Sequence, residues 1–196
     1  MARQLRTILQ GVTYHCYSKC HDNQNFLQSS LGKQLFIEAV QRCQEKYCFE
    51  VNGTELAANH VHLVIRTLEN EATISRIMQY IKALIAQKYN KLMHRGGAFW
   101  IGRYKCKIVE ESDDPIPYLL RLLWYVGYNP VRKNLCTDPR ESSIGFINCY
   151  LIEGYKAPIK ITLHPFFYKL GNTFYECAEK FLLCEEAYLK KLAASS

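Results

Sequence analysis

The sequence predicts an α+β domain: an antiparallel sheet of the ferredoxin-like or RRM-like plan with helices on one face, a further helix, and a C-terminal helical extension. Three observations carry this. The apolar pattern runs in the order strand, helix, strand, strand, helix, strand over residues 11 to 109. Two long segments repeat apolar residues at helical spacing, and the last strand-like run alternates at a period of two. In this plan both helices cover one sheet face and leave the other for a ligand.

Gly11 to Ser18 is rich in aromatic and β-branched residues and reads as the first strand, ending in the polar turn His21 to Asn25. Leu35, Phe36, Ala39, Val40 and Cys43 form the inner stripe of a first helix. Two strand-like runs follow, Cys48 to Leu56 and Asn59 to Arg66, with Asn52-Gly53 marking a tight turn or a bulge. Ile74, Ile77, Met78, Ile81, Ile85 and Tyr89 make the stripe of a second helix, and a glycine-containing loop leads from His94 to Gly102. Arg103 to Val109 alternates Cys106 and Ile108 with Lys105 and Lys107, as a half-exposed strand does. Asp114-Pro115 reads as a helix N-cap with proline in the first turn, Asn129-Pro130 as the end of that third helix, and Asn172 to Leu192 as a final helix with Phe174, Cys177, Ala178 and Phe181 inward.

A chain of 196 residues that is 48% hydrophobic supports one well-packed domain. No run reaches the roughly 18 apolar residues of a membrane span, and the start lacks a signal-peptide apolar region, so a soluble cytoplasmic protein is expected. Nine scattered cysteines fit free thiols in a reducing compartment. Cys16, Cys20, His15 and His21 do not make a convincing zinc site: a second ligand pair is missing, and a strand sends His15 and Cys16 to opposite faces. The net charge of +7 favours a polyanionic partner, and the basic residues concentrate between Arg95 and Lys133. Arg3 and Arg6 form a short basic arm.

His60-Val61-His62 places two imidazoles on one face of a strand, where they can share a metal ion or simply face solvent. On the third helix Leu119, Leu122, Leu123 and Val126 form a core stripe, while Tyr118, Arg121, Tyr125, Tyr128 and Asn129 fall on a separate face. Tyr125 and Asn129 stand at i, i+4, so an amide oxygen suited to a hard cation and a phenol share one helix face. Tyr128 is the rival phenol. Arg103, Lys105, Lys107, Arg121 and Arg132 are candidates to follow a phosphate backbone, with Phe99, Trp100 and Tyr104 as possible stacking platforms or core residues. No Gly-rich Lys-Ser/Thr phosphate loop is present.

His60-Val61-His62, Gly102-Arg103-Tyr104-Lys105 and Tyr125-Val126-Gly127-Tyr128-Asn129-Pro130-Val131-Arg132, in this order and spacing, resemble the REP-associated tyrosine transposases, single-tyrosine members of the HUH class. Gly11 to His15, Phe99-Trp100, His164-Pro165 and Leu170-Gly171 look like the same family, so the resemblance covers most of the chain. It implies that His60, His62 and Asn129 hold Mg2+ or Mn2+ and that Tyr125 attacks a phosphate of single-stranded, hairpin-containing DNA. The attack leaves a 5′-phosphotyrosine and a free 3′-hydroxyl for strand transfer. It also implies a catalytic domain over residues 1–134 whose third helix is the catalytic one, and a C-terminal extension over 135–196 packed on it. A monomer at the nucleoid is expected, with a dimer as the alternative. The chain departs from the family at Ala57-Ala58 (usually Met-Pro), at Ser18-Lys19-Cys20-His21 (usually Ser-Arg-Gly-Asn) and at Glu141-Ser142-Ser143 (usually Trp-Ser-Ser), which bears on DNA recognition and local packing. Two other readings are a domesticated RRM-like module that binds nucleic acid without cutting it, and a zinc hydrolase, which needs a further Asp, Glu or His ligand.

Overall fold

A computed structural model of the chain describes residues 8–194, so the arm of Arg3 and Arg6 lies outside the described residues. The elements are β1 (Thr13–Lys19), α1 (Ser30–Lys46), β2 (Phe49–Leu56), β3 (His60–Thr67), α2 (Ile74–Leu92), β4 (Lys105–Ile108), α3 (Pro115–Gly127), α4 (Asn129–Arg132), α5 (Ile147–Leu151) and α6 (Phe174–Ala193). Three single turns of 3-10 helix fill the connections. The four strands pair antiparallel in the order β2-β3-β1-β4, the ferredoxin-like arrangement that the element order predicts. No helix among the described residues is long and apolar enough to cross a membrane.

The first core follows from the two helical stripes. Leu35, Phe36, Ala39, Val40 and Cys43 of α1 and Ile74, Ile77, Met78, Ile81, Ile85 and Tyr89 of α2 are all buried. They pack on one face of the sheet, where Tyr14, Cys16, Val61, Leu63 and Ile65 point. Ser29 and Thr73 cap these helices by accepting from the backbone N–H of Gly32 and Arg76.

The opposite sheet face is only partly free, which corrects the expectation of an open ligand face. Val64 belongs to a second core with Leu119, Leu122, Leu123, Trp124 and Val126 of α3 and with Phe146, Tyr150, Phe167 and Phe181 of the C-terminal part. The leucine stripe of α3 needs an apolar partner, and Val64 with its C-terminal neighbours is the one the fold offers. Trp124 anchors this core: its ring stacks on Phe181 of α6 at 4.6 Å, and its indole N–H donates to the Phe181 carbonyl at 3.0 Å. Helix α6 is capped by Thr173, and Cys177, Ala178 and Phe181 face inward as expected, with Phe174 half-buried.

Two local readings resolve differently from the sequence pattern. Asp114 sits at the N-cap of α3 without accepting a side-chain cap bond. Helix α3 ends at Gly127, and Asn129-Pro130 opens the one-turn α4 instead of closing α3. Asn52-Gly53 is a bulge: the β2–β3 register shifts between Val51 and Gly53. A Cβ on Gly53 would stand 3.0 Å from the Phe146 ring and 3.1 Å from Leu123 Cδ2, so the bare backbone lets α3 and the C-terminal part seat on the sheet. Gly53→Ala is therefore expected to cost about 1–3 kcal/mol by overpacking. Urea unfolding measures it, and an unchanged midpoint would show that α3 is seated by other contacts.

Candidate active site

Because α3 covers the Val64 end of the face, β3 carries His62 and His60 out from under it, two and four residues away. Both histidines lie on the same face as Val64, as the two-residue period requires. His60 is held from both sides: Nδ1 lies 2.8 Å from Asn59 Oδ1, and Nε2 lies 3.1 Å from the Oδ1 of buried Asn129 at the start of α4. His62 is buried, and its Nδ1 lies 2.9 Å from Nε2 of His15 on β1, with the two rings stacked at 5.2 Å.

Tyr125 stands over this pair. Its ring centroid is 5.8 Å from His62 and 6.2 Å from His15, edge-on to both, and the residue is 41% exposed. Arg132 fixes the tyrosine from the other side. Its guanidinium lies 4.4 Å from the Tyr125 ring centroid, donates to the Tyr125 carbonyl at 2.9 Å, and bonds the Tyr188 hydroxyl of α6. Tyr128, the rival phenol, is not on this face. It is buried in the second core, its hydroxyl donates to Glu185 at 2.6 Å, and burial with that carboxylate raises its pKa. One turn of helix separates the two tyrosines by chemistry as well as position.

Burial controls the charge of the three imidazoles. It pushes His15 down to about 4, aided by Lys107. It pushes His62 down to about 2, aided by His15 and His60. His60 is also lowered by burial, with the Asn129 contact opposing and Lys133, Lys19 and Arg132 adding. All three are neutral near pH 7, the form that offers a ring lone pair. In the tautomer protonated at Nδ1, that N–H of His60 donates to Asn59 Oδ1 and Nε2 offers its lone pair beside the Asn129 oxygen; in the other tautomer the Nε2–H donates to that oxygen at 3.1 Å. A cation between His60 Nε2 and Asn129 Oδ1 requires the first tautomer. Among the described residues no three His, Cys, Asp or Glu side chains group as a metal site, so any ion here depends on the amide oxygen.

The basic residues divide. Lys105 and Lys107 on β4 lie in register with Tyr17 and His15 on the site face, and Lys107 and Arg121 line a cavity of about 630 Å3 together with His15, His62 and Tyr125. Arg132 belongs to the site through Tyr125. Arg103 does not: it lines a separate hollow with Ser75, Gln79 and Lys82 beside α2. Trp100 and Tyr104 are not stacking platforms, because both are buried in the first core with Phe99. The Trp100 indole donates to the Lys82 carbonyl at 3.0 Å, and the Tyr104 hydroxyl bonds Ser75 at 3.0 Å.

Two site residues escaped the sequence pattern. His15 is one, though its place on β1 facing His62 follows once the β1–β3 pairing is known. Glu55 is the other: it pairs with His62 across β2–β3, is buried, and accepts from Ser142 at 3.0 Å and from the Leu56 N–H at 2.9 Å, while its Oε2 has no hydrogen-bond partner. Burial raises this carboxyl to about 8.

Residues 9–117 match the family model described as Transposase IS200 like. The chain belongs to the IS200-like transposase family. The matched span includes His15, His60 and His62 and stops before Tyr125 and Asn129. Among solved structures, one of a REP-associated tyrosine transposase bound to a REP hairpin is similar in fold, with a TM-score of 0.64 at 15% identity over 83% of this chain and 92% of that one. A crystal structure of a protein from Deinococcus radiodurans, named there as a transposase by assignment, overlaps less, with a TM-score of 0.41 at 16% identity over 55% of this chain and 83% of that one. No curated protein matches the sequence.

Glu55 makes this transposase's stability respond to pH in a definite direction. Between the ordinary carboxyl value and about 8, the folded chain holds more protons at Glu55 than the unfolded chain, so this group's contribution to stability falls as pH rises through that window. Glu55→Gln is expected to match wild type near about pH 5 and to be more stable by on the order of a few kcal/mol near about pH 8.5. Urea midpoints at the two pH values check this. A variant less stable at both would show that the carboxylate is needed in charged form.

Proposed function

We propose that this transposase cleaves and rejoins single-stranded DNA carrying hairpin-forming repeats, with Tyr125 as nucleophile and His60, His62 and Asn129 as ligands of a divalent ion. The supporting observation is the convergence of His60 Nε2 and Asn129 Oδ1 at 3.1 Å beneath a surface tyrosine whose ring edges the second histidine. Cis donors about 2.1 Å from an octahedral ion stand roughly 3 Å apart, so this pair fits one ion. Mixed nitrogen and oxygen donors suit Mn2+ better than Mg2+, whose ligands are oxygens. A divalent ion bound there supplies positive charge against the negative charge that builds on the non-bridging phosphate oxygens.

In the reaction the Tyr125 phenol oxygen bonds to phosphorus, the bond from phosphorus to the 3′ oxygen breaks, and the phenol proton leaves to the 3′-hydroxyl. The product is a 5′-phosphotyrosine, which a second 3′-hydroxyl reverses by the same path, so the bond energy is conserved without a nucleotide triphosphate. An ordinary phenol with a reference pKa of about 10 is a poor nucleophile at neutral pH. Arg132, stacked on the ring, holds the phenol in line and favours the charge it develops. His15 holds the His62 ring through Nδ1, as an outer-shell partner does. Lys105, Lys107 and Arg121 are placed to meet the phosphates. In this reading residues 1–134 form the catalytic domain, residues 135–196 an extension packed on it, and the protein acts as a monomer at the nucleoid. The hairpin substrate is carried over from the structural neighbour, whose structure contains a REP hairpin.

Labelled single-stranded DNA bearing the repeat that flanks the gene, incubated with Mn2+ and run on a denaturing gel, tests the chemistry. Wild type and Tyr128→Phe are expected to form a covalent adduct and Tyr125→Phe none. Wild type that binds the DNA but forms no adduct with Mg2+ or Mn2+ contradicts the proposal and leaves a non-catalytic binding module. Arg132→Lys keeps the charge but loses the planar stack and the paired donors, so adduct formation is expected to slow by roughly ten- to a hundredfold with DNA affinity little changed. Equal loss of affinity and rate would make Arg132 a plain phosphate contact.

A further inference from the structure

We propose that the cavity beside Tyr125 is a seat for one unpaired nucleotide, with the C-terminal helix as its outer wall. Which nucleotide sits there rests on the reading of Tyr125 as nucleophile, since the occupant is then joined to the reacting phosphate. The cavity itself does not depend on that reading.

Its volume of about 630 Å3 is within the range of roughly 300–1,000 Å3 that accepts a small organic ligand. His62 of β3 and Lys107 of β4 lie on its lining, and three further elements add to its walls. Tyr17 comes from β1, Tyr118 and Arg121 from α3, and Tyr188 and Lys191 from α6. Tyr118, Arg121 and Tyr125 recur at three and four residues, so one helix face presents an aromatic ring, a cation and the candidate nucleophile in a row. Tyr17 and Tyr118 are half-buried, so each ring is fixed by the fold and still borders the cavity.

The charges at the mouth point to an anionic occupant. Arg121 and Lys107 are both exposed, and neither has an ion-pair or hydrogen-bond partner among the described residues. Uncompensated cations beside aromatic walls are the combination that binds single strands, phosphate by charge and base by stacking. The occupied length is short. A second cavity adjoins the first, sharing Tyr17, Lys107 and Tyr118, but it runs out past β4 between Glu111 and Asp113. There Glu111 and Asp113 offset Lys105 and Lys107, so the uncompensated positive charge is concentrated at the first cavity.

The test uses the full chain in EDTA, so that no cleavage intervenes, and a fluorescent single-stranded oligothymidylate as probe. Tyr118→Ala is expected to weaken binding roughly 5- to 150-fold with no change in the salt dependence, and Tyr118→Phe to restore it, because stacking needs the ring and not the hydroxyl. Arg121→Gln is expected to lower the slope of log affinity against log salt by about 0.7, one phosphate contact on a single strand. As an exposed substitution it reports even if Tyr118→Ala destabilises the fold. Wild-type binding by both Tyr118→Ala and Arg121→Gln, or no oligothymidylate binding by wild type, overturns the seat. The two proposals fail separately: the binding shifts without a Tyr125 adduct sink the chemistry alone, whereas an adduct with unshifted binding sinks the seat alone.

Discussion

Strand β3 has one face to divide between two tasks, and the two-residue period of a strand sets how it is divided. Val64 points to the same side as His62 and His60, and the leucine stripe of α3 buries itself where Val64 is. The helix therefore lies over the apolar end of the face and leaves the histidines at its edge. Because α3 is anchored there, Tyr125 hangs beside His62, and Asn129, at the start of the turn after α3, reaches His60. No separate device is needed to bring the tyrosine, the imidazoles and the amide together. A substitution that unseats α3 from Val64 moves the whole site, although it touches none of its polar residues.

The anchoring depends in turn on the C-terminal part. Trp124 on α3 is clamped by Phe181 on α6 through both stacking and a hydrogen bond, and Arg140 pairs with Glu185 of α6, which also accepts from Tyr128. Helix α6 thus holds α3 from behind and, through Tyr188 and Arg132, also holds the ring of Tyr125 in front. This explains why a 20-residue helix, remote in sequence from the strands, borders the cavity next to the tyrosine. The polar half of the sheet face is kept soluble in the fold by pairwise contacts: His15 with His62, His60 with Asn59 and Asn129, and Glu55 with Ser142. Each ring or carboxyl stays neutral because burial makes charge costly.

Much of this was legible in the sequence because it is local. The stripes of α1 and α2, the alternation in β4 and the shared face of His60 and His62 need only the periods of helix and strand. The spacing of Tyr125 and Asn129 likewise survives the break at Gly127, since α4 resumes a helical turn. What was not legible depends on which surfaces meet. Trp100 and Tyr104 look like exposed aromatics among cations until the loop after α2 folds back onto the first core. Arg103 is two residues from Lys105 but faces α2 instead of the site. Tyr128 is one turn from Tyr125, but it is buried in the second core, where Glu185 of α6 accepts from its hydroxyl. His15 and Glu55 become site residues through strand pairing, which no single-strand pattern reports.

In the proposed mechanism one ion is held jointly by β3 and the start of α4. Titrating Mn2+ into the protein and following the free-ion signal by electron paramagnetic resonance tests it without any DNA. One ion per chain is expected, retained in Tyr125→Phe and lost in both Asn129→Ala and His60→Ala, each circular-dichroism spectrum remaining that of wild type. Binding that persists in either Asn129→Ala or His60→Ala, or no binding by the wild-type chain, would contradict it.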